Sequence, residues 1–248
     1  MSFDRLHAYF RRKGFEPFSF QLLAWERTAH RVHQLIQCPT GSGKTLAATG
    51  AMIEKLLANP QTQGIRLLYV TPLRAMTKDL ELALKDPLID SEVRVLSRNG
   101  DTSAKDRASL FRKPPQILMT TPESLSVILS SPKSQALFAS LESVVVDEWH
   151  DLMASKRGVQ MSLCLQRLMR LSSDVTITGV SATLKNPESA LRVLLPVGVD
   201  GELTQADIDR VVTLSISESD ENDRLPWAGH LGLSLLKPVS QKLLKGQT

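Results

Sequence analysis

A glycine-rich stretch at residues 38–45 constrains the fold of this chain more than any other feature of its sequence. It reads Cys-Pro-Thr-Gly-Ser-Gly-Lys-Thr, follows a short apolar run at residues 32–36 and opens a pattern with helical apolar spacing. Glycines let successive backbone N–H groups turn toward an anion, and the dipole of the following helix favours the same negative charge. The stretch therefore predicts a nucleoside triphosphate site formed by a strand, a phosphate-binding loop and a helix.

Individual residues of this loop have expected roles. Lys44 can reach the terminal phosphates as a point charge, and the Thr45 hydroxyl can ligate Mg²⁺. Cys38 stands where the usual pattern has a glycine. An ordinary Gly/Ser turn before a helix is the alternative. The residues expected to bind the nucleotide are Thr40, Gly41, Ser42, Gly43, Lys44 and Thr45.

An aromatic-rich turn that ends in Gln21 precedes the loop. The Gln21 carboxamide could pair with both the amino group and N7 of adenine, while a ring or guanidinium covers the base. Taken alone, the stretch is better explained by packing of its phenylalanines into the core. The adenine role is therefore an expectation that depends on the neighbouring loop.

From residue 65 onward, short apolar runs alternate with helical patterns, which predicts an α/β fold with a mostly parallel sheet and helices on both faces. In such sheets, functional residues collect at the carboxyl ends of the strands. Unusual polar clusters follow each predicted strand here. The strands are predicted at residues 65–70, 93–96, 117–119, 143–146 and 175–180.

Two acidic residues, Asp147 and Glu148, follow three valines. At the tip of a buried strand beside a phosphate loop, one carboxylate can hold the Mg²⁺ of a bound triphosphate and the other can polarise water as general base. By their order along the strand, we assign Asp147 to the metal and Glu148 to the base. A solvent-exposed acidic turn is the alternative.

Two Thr-Pro pairs indicate a second kind of contact. Thr71-Pro72 and Thr121-Pro122 each combine a good helix N-cap with a proline favoured at the first helical position. Such helix starts present backbone N–H groups that suit phosphates of a nucleic-acid backbone. Thr120 and Glu123 fit a capping box. The residues expected along this row are Thr71, Pro72, Arg74, Gly100, Thr121, Pro122 and Glu123.

Together, these stretches resemble the motifs of superfamily 2 helicases, in the family's order and across residues 15–196. The resemblance implies a RecA-like fold of the P-loop NTPase class, with ATP and Mg²⁺ as cofactors. It assigns catalysis to Lys44, Asp147, Glu148 and His150, and coupling of hydrolysis to strand movement to Ser181 and Thr183. His150 is also expected to help join two motor domains. The matched stretches are Gln21, 38–45, 71–75, 120–125, 147–150 and 181–183.

Within that superfamily, the chain looks most like large helicase-related (Lhr-type) proteins, on stretches such as Gly100–Ala104, Pro114-Pro115 and Lys156–Gly158. Trp149 and residues 226–232 look like the bacterial ligase-associated branch, which is linked to DNA repair. The resemblance implies an ATP-driven 3′ to 5′ translocase on single-stranded DNA that unwinds duplexes, and it suggests a functional link to an ATP-dependent DNA ligase. RNA or an RNA–DNA hybrid stays open as substrate, since backbone contacts discriminate sugars poorly.

The domain organisation follows from the same resemblance. Residues 1–196 are expected to form the first RecA-like domain, 197–225 a linker or surface segment, and 226–248 the start of a second RecA-like domain. Because that second domain carries the arginine finger in the family, we expect these 248 residues alone to bind ATP·Mg²⁺ weakly and hydrolyse it slowly.

Composition and charge limit the partners and the cellular compartment that the sequence predicts. The net charge of +4 permits a polyanionic partner without requiring one. The two cysteines lack metal-ligand spacing and are expected to be reduced thiols of a cytoplasmic protein. No apolar run approaches the length of a membrane span, so no membrane partner is expected. Two alternatives stay open: a catalytically inactive nucleic-acid-binding fragment, and another P-loop NTPase such as a kinase or transporter ATPase.

Overall fold

The computed structural model describes residues 1–72, 77–100, 109–182, 184–208 and 240. Two compact units divide the chain, residues 1–207 and 208–248. All elements below belong to the first unit. The motif residues 73–76, 101–104, 183 and 226–232 lie outside the described residues.

Within the described residues, seven strands form a single sheet in the spatial order β3-β4-β2-β5-β6-β1-β7. Every neighbouring pair of these strands is parallel. The α/β fold with a parallel sheet is therefore confirmed. The strands are β1 Gln34–Gln37, β2 Leu67–Val70, β3 Val95–Arg98, β4 Ile117–Thr120, β5 Ser143–Val146, β6 Thr176–Ser181 and β7 Glu202–Gln205.

Helices cover the sheet. Every residue of β1, β2, β4, β5 and β6 is buried, and successive side chains point to opposite faces, so both faces are packed. Among the described helices, none is long and apolar enough to cross a bilayer. The helices are α1 Asp4–Arg12, α2 Ser19–Ala29, α3 Lys44–Ala58, α4 Thr77–Lys85, α5 Pro122–Leu129, α6 Ser134–Phe138, α7 Trp149–Met153, α8 Lys156–Leu171 and α9 Pro187–Leu194.

The helix that follows β4 begins as the second Thr-Pro pair predicts. Pro122 is the first residue of α5, and the Thr121 hydroxyl accepts a hydrogen bond from Ser124 N at 3.4 Å. The expected capping box is wrong, because Thr120 is the last residue of β4 and its hydroxyl donates to the Arg98 carbonyl at 2.8 Å. Thr121 is therefore the cap of α5, as the Thr-Pro pair predicts, and Thr120 takes no part in it.

The first unit extends past the expected boundary at residue 196. β7 lies inside the segment expected to be a linker, and it pairs in parallel with β1. Backbone hydrogen bonds hold its two ends, from Glu202 N to His33 O and from Ala206 N to Gln37 O, each at 2.9 Å. This segment therefore adds an edge strand to the sheet, and the unit ends at Asp207.

Glu54 ties α1 to the rest of the unit. Its side chain is 1% exposed, and its carboxylate accepts from Leu6 N at 2.9 Å and from Arg5 N at 3.3 Å. These are N–H groups of the first turn of α1, which lack partners inside the helix. The Arg5 guanidinium also reaches Glu54, at 3.2 Å, but its side chain is 52% exposed. Glu54 therefore acts mainly as a buried cap.

We expect Glu54→Ala to lower the free energy of unfolding by about 2 kcal/mol, because it leaves buried N–H groups of α1 without an acceptor. The matched control, Arg5→Ala, removes only a half-exposed ion pair and should cost less than about 1 kcal/mol. Urea unfolding of the three proteins measures both differences. Equal losses in the two variants would show that the ion pair, and not the cap, holds α1.

Candidate active site

The strand ends that carry the polar motifs meet at one edge of the sheet. Parallel pairing places Gln37 level with Ser181, and Val70 level with both Thr120 and Val146. The residue that follows each of these strands therefore emerges on the same side. The glycine-rich loop, the paired acids and the Thr-Pro pairs consequently share one rim.

The loop between β1 and α3 depends on two glycines. Gly41 and Gly43 have φ values of +73° and +80°, in the left-handed region that other residues rarely adopt. A Cβ atom on Gly43 would also lie 2.6 Å from Gln21 Nε2. Ser42 is buried, and its hydroxyl donates to Pro39 O at 2.7 Å. This backbone shape leads directly into α3, whose first residue is Lys44.

Gln21 contacts the loop itself. Its Nε2 donates to Gly43 O at 3.1 Å, and its Oε1 accepts from Phe18 N at 2.9 Å. Both ends of the carboxamide are thus bonded to the chain. Each end keeps one further donor or acceptor position, so these contacts are compatible with the expected pairing to an adenine, which stays a prediction.

Lys44 and Glu148 form an ion pair at the centre of the rim. Lys44 Nζ lies 2.9 Å from Glu148 Oε1, and the two side chains are only 12% and 13% exposed. Glu148 has a left-handed backbone with φ +45° and ψ +46°, a conformation that costs a non-glycine residue about 1 kcal/mol or more. The structure therefore brings the lysine of the loop and the acids after β5 into one site.

Asp147 lies beside this pair. Its backbone N–H donates to Val70 O at 2.8 Å, and its Oδ1 accepts from Glu148 N at 2.9 Å. Burial, and next the negative charge of Glu148, raise the pKa of the Asp147 carboxyl. A nearby cation would favour the charged form of this carboxylate.

The residues around Asp147 fit a magnesium ion. The fully buried Tyr69 hydroxyl lies against both Asp147 and Thr45, yet it forms no hydrogen bond of good geometry. The Thr45 hydroxyl and the Asp147 carboxylate therefore lie near one another, and both supply the hard oxygen ligands that Mg²⁺ prefers. Tyr69 was not among the residues expected from the sequence. Its signal would have been a hydroxyl on an otherwise apolar buried strand.

His150 and Ser181 connect the acids to the neighbouring strand. His150 Nδ1 lies 3.1 Å from Ser181 Oγ and 3.5 Å from Glu148 Oε2. The Ser181 carbonyl accepts from Cys38 N at 3.1 Å. Ser181 therefore touches both the stretch at residues 147–150 and the start of the phosphate loop. The other residue expected to couple the two, Thr183, lies outside the described residues.

Cys38 is a buried residue of the loop. Its side chain is 1% exposed, and burial raises the pKa of its thiol. The thiol is therefore protonated at neutral pH. The backbone of Cys38, at the first position of the loop, is not left-handed. The glycine usual at this position is therefore not required.

The second half of the rim carries the Thr-Pro pairs. Thr71 N donates to Thr120 O at 3.0 Å, so the two pairs follow adjacent strand ends. Gly100 follows β3, the next strand outward. Arg74 lies outside the described residues. The structure therefore brings six of the seven expected nucleic-acid contacts to one side of the acids: Thr71, Pro72, Gly100, Thr121, Pro122 and Glu123.

Arg157 is the other residue that sequence reasoning did not assign to the site. It lies in the first turn of α8 and pairs with Glu123, with Nε 2.5 Å from Oε1. Its Nη2 also donates to Pro72 O at 2.9 Å. In the sequence, the Lys156–Gly158 stretch stands out only by its likeness to Lhr-type proteins. The spacing of residues does not predict its long-range contacts.

Comparison with known proteins agrees with this geometry. The family model described as DEAD/DEAH box helicase matches residues 18–190. The chain is 38% identical over 199 residues to the ATP-dependent helicase Lhr-Core of Methanothermobacter thermautotrophicus, covering 73% of this chain and 23% of that protein. It is 37% identical over 193 residues to the Lhr helicase/probable uracil glycosylase of Mycolicibacterium smegmatis, covering 72% and 13%.

A solved structure gives the same result. The structure of Mycobacterium smegmatis helicase Lhr bound to ssDNA and AMP-PNP superposes with a TM-score of 0.72 at 34% identity. The match covers 79% of this chain and 27% of that chain, so this chain spans about a quarter or less of the length of these relatives. The chain belongs to the DEAD/DEAH box helicase family, and within it is an Lhr-type helicase motor domain with a RecA-like fold.

Proposed function

We propose that this chain is the ATP-binding motor domain of a DNA-dependent ATPase that translocates 3′ to 5′ along single-stranded DNA. The observation that carries the proposal is the 2.9 Å contact between Lys44 and Glu148, at the same rim as the Thr-Pro strand ends. Nucleotide chemistry and a nucleic-acid track then lie side by side on one sheet. The direction of movement and a role in DNA repair rest on the family likeness.

Hydrolysis requires Lys44 and Glu148 to separate. A triphosphate in the loop competes with Glu148 for the Lys44 ammonium, because phosphate oxygens carry more charge than one carboxylate. Glu148, once released, can accept a proton from the attacking water as general base. Thr45 and Asp147 would hold Mg²⁺, which neutralises the β- and γ-phosphate charge when bound. Ser181 and His150 would transmit the separation of Lys44 and Glu148 to β6, the strand that contains Ser181.

A comparison with a solved relative supports DNA as the polymer. The solved relative named above is bound to ssDNA. The helix start at Thr121-Pro122 suits a phosphate backbone of either DNA or RNA, because it does not read bases. RNA and an RNA–DNA hybrid are the competing substrates, and the link to an ATP-dependent DNA ligase is a prediction from sequence likeness. Membership of the helicase family argues against the kinase and transporter alternatives.

Substitutions at the ion pair should have opposite effects on nucleotide binding. Lys44→Ala should weaken Mg·ATP binding on the order of tenfold, because it removes a charge-assisted contact to phosphate. Glu148→Gln should bind at least as tightly as the unmodified chain, since it removes the carboxylate that competes for Lys44. Titration with a fluorescent ATP analogue measures both.

The control for this pair is Lys55→Ala, which removes a lysine of the same helix that contacts Glu142 at 3.0 Å. It should leave nucleotide affinity unchanged. Nucleotide binding by Lys44→Ala that equals that of the unmodified chain would contradict the proposed site.

The 248-residue chain should hydrolyse ATP slowly even with single-stranded DNA present. An arginine finger is worth about 10³-fold or more in rate in related NTPases, and we place it in a second RecA-like domain. Fusing that domain from an Lhr-type relative should restore DNA-stimulated phosphate release. Fast turnover by the 248-residue chain would contradict this division of labour, and an inactive fusion would favour the inactive-fragment alternative.

Competition binding tests the choice of polymer. A labelled single-stranded DNA should be displaced more effectively by unlabelled DNA than by RNA of the same sequence. Equal or better displacement by RNA, or by an RNA–DNA hybrid, would transfer the proposal to that substrate, because recognition through phosphates alone does not separate the sugars.

A further inference from the structure

We propose that Arg157 is a positioning residue that holds the two Thr-Pro strand ends at a fixed spacing for a nucleic-acid backbone. This inference rests on the proposed function, since it concerns the same row of phosphate contacts. It assigns a role to a residue that touches neither nucleotide nor the paired acids. The observation behind it is that one guanidinium bonds both strand ends at once.

The contacts of Arg157 span two segments that are distant in sequence. Nε and Nη2 reach the two carboxylate oxygens of Glu123 at 2.5 and 3.3 Å, which is a two-pronged pair. Nη2 also donates to Pro72 O at 2.9 Å. Glu123 follows Pro122 in the first turn of α5, and Pro72 follows Thr71 after β2. Arg157 therefore connects the start of one Thr-Pro helix to the backbone of the other pair.

The base of Arg157 is itself held rigidly. Ser155 caps α8 by accepting from Gly158 N at 3.4 Å. A Cβ atom on Gly158 would lie 2.2 Å from Leu152 O, so the first turn of α8 packs directly on the end of α7. A fixed helix start limits the positions that the guanidinium can take. This close packing suits a residue whose role is to set a distance.

Stability does not account for the arrangement. The side chains of Arg157 and Glu123 are 38% and 47% exposed, and ion pairs at such exposure contribute little to folding. Burial alone would raise the pKa of Glu123, but hydrogen bonds from Arg157, its own backbone and Thr121 lower it overall. Glu123 is therefore ionised and paired at neutral pH.

The same contact removes an electrostatic obstacle. An unpaired carboxylate in the first turn of α5 would repel a phosphate that approaches the N–H groups of that turn. Arg157 neutralises this charge in place. The sequence analysis placed Glu123 among the nucleic-acid contacts. In the structure its carboxylate bonds to Arg157, which gives Glu123 an indirect role in that row.

Fluorescence anisotropy with a labelled oligothymidylate tests the inference on the 248-residue chain. Arg157→Ala should weaken binding about tenfold, because the spacing of the strand ends is no longer fixed. Arg157→Lys should weaken it comparably, since one ammonium cannot bond Glu123 in two places and Pro72 as well. The matched control, Arg167→Ala, removes an exposed charge from the same helix and should change affinity less than about twofold.

Two further readouts separate positioning from a direct phosphate contact. Loss of a direct contact lowers the slope of log affinity against log salt by about one for Arg157→Ala, and Arg157→Lys would then bind normally. Positioning predicts an unchanged slope for Arg157→Lys together with weak binding. The double variant Arg157→Ala with Glu123→Gln should stay weak, because neutralising the charge does not rebuild the bridge. Nucleotide affinity should be unaltered in every variant, which shows that the unit is folded.

The outcomes distinguish this inference from the function on which it rests. If the unmodified chain fails to bind the oligonucleotide, the proposed function and the role of Arg157 both fall. If the unmodified chain binds and Arg157→Ala and Arg157→Lys bind equally well, only the role of Arg157 is overturned. Recovery of full affinity in the double variant would reduce Arg157 to charge neutralisation and also overturn the positioning role.

Discussion

Parallel pairing of β2 with both β4 and β5 is the constraint on which the rest of the site depends. Because Val70 is level with Thr120 on one side and Val146 on the other, the residues that follow all three strands emerge together. A slip of one residue in either pairing would reverse the faces of a fully buried strand. Since every residue of these strands is buried, the packing of the core fixes the register. The position of the acids relative to the Thr-Pro pairs follows from that register.

Electrostatics then determine how the charged side chains of the site pair with one another. Lys44 and Glu148 are nearly buried, and a buried charge without a partner is far more costly than a paired one. Each of the two side chains therefore neutralises the charge of the other as long as no phosphate binds Lys44. Asp147 has no such cationic partner at hydrogen-bond distance among the described contacts, and burial and Glu148 raise the pKa of its carboxyl. A further positive charge beside Asp147 would therefore stabilise the ionised form of its carboxyl.

Sequence patterns were sufficient to predict most strands and helices around the site, but not the side-chain contacts within it. Buried apolar runs locate β5 at Ser143–Val146, and the glycine-rich loop locates the start of α3, because local chemistry determines both. The short β7 was missed, since only one residue of Glu202–Gln205 is buried and the strand pairs only at the sheet edge. The contacts of Gln21 with Gly43 join residues separated in sequence, and no period or spacing predicts such a pair. The Thr120 capping box failed because strand β4 continues one residue further than its apolar run.

Three consecutive residues after the middle of β2 touch both halves of the rim, and this limits how the halves can move. Val70 O accepts from Asp147 N at 2.8 Å, Thr71 N donates to Thr120 O at 3.0 Å, and Pro72 O accepts from Arg157 at 2.9 Å. Backbone hydrogen bonds within a buried sheet stretch very little, so Asp147 cannot shift along the strand direction without displacing the Thr71-Pro72 segment. Because the same segment is bonded to β4 and to α8, any displacement that begins at the acids is shared by the strand ends that carry the Thr-Pro pairs. The end of β2 is therefore the element through which a rearrangement at Lys44 and Glu148 would reach the row of expected nucleic-acid contacts.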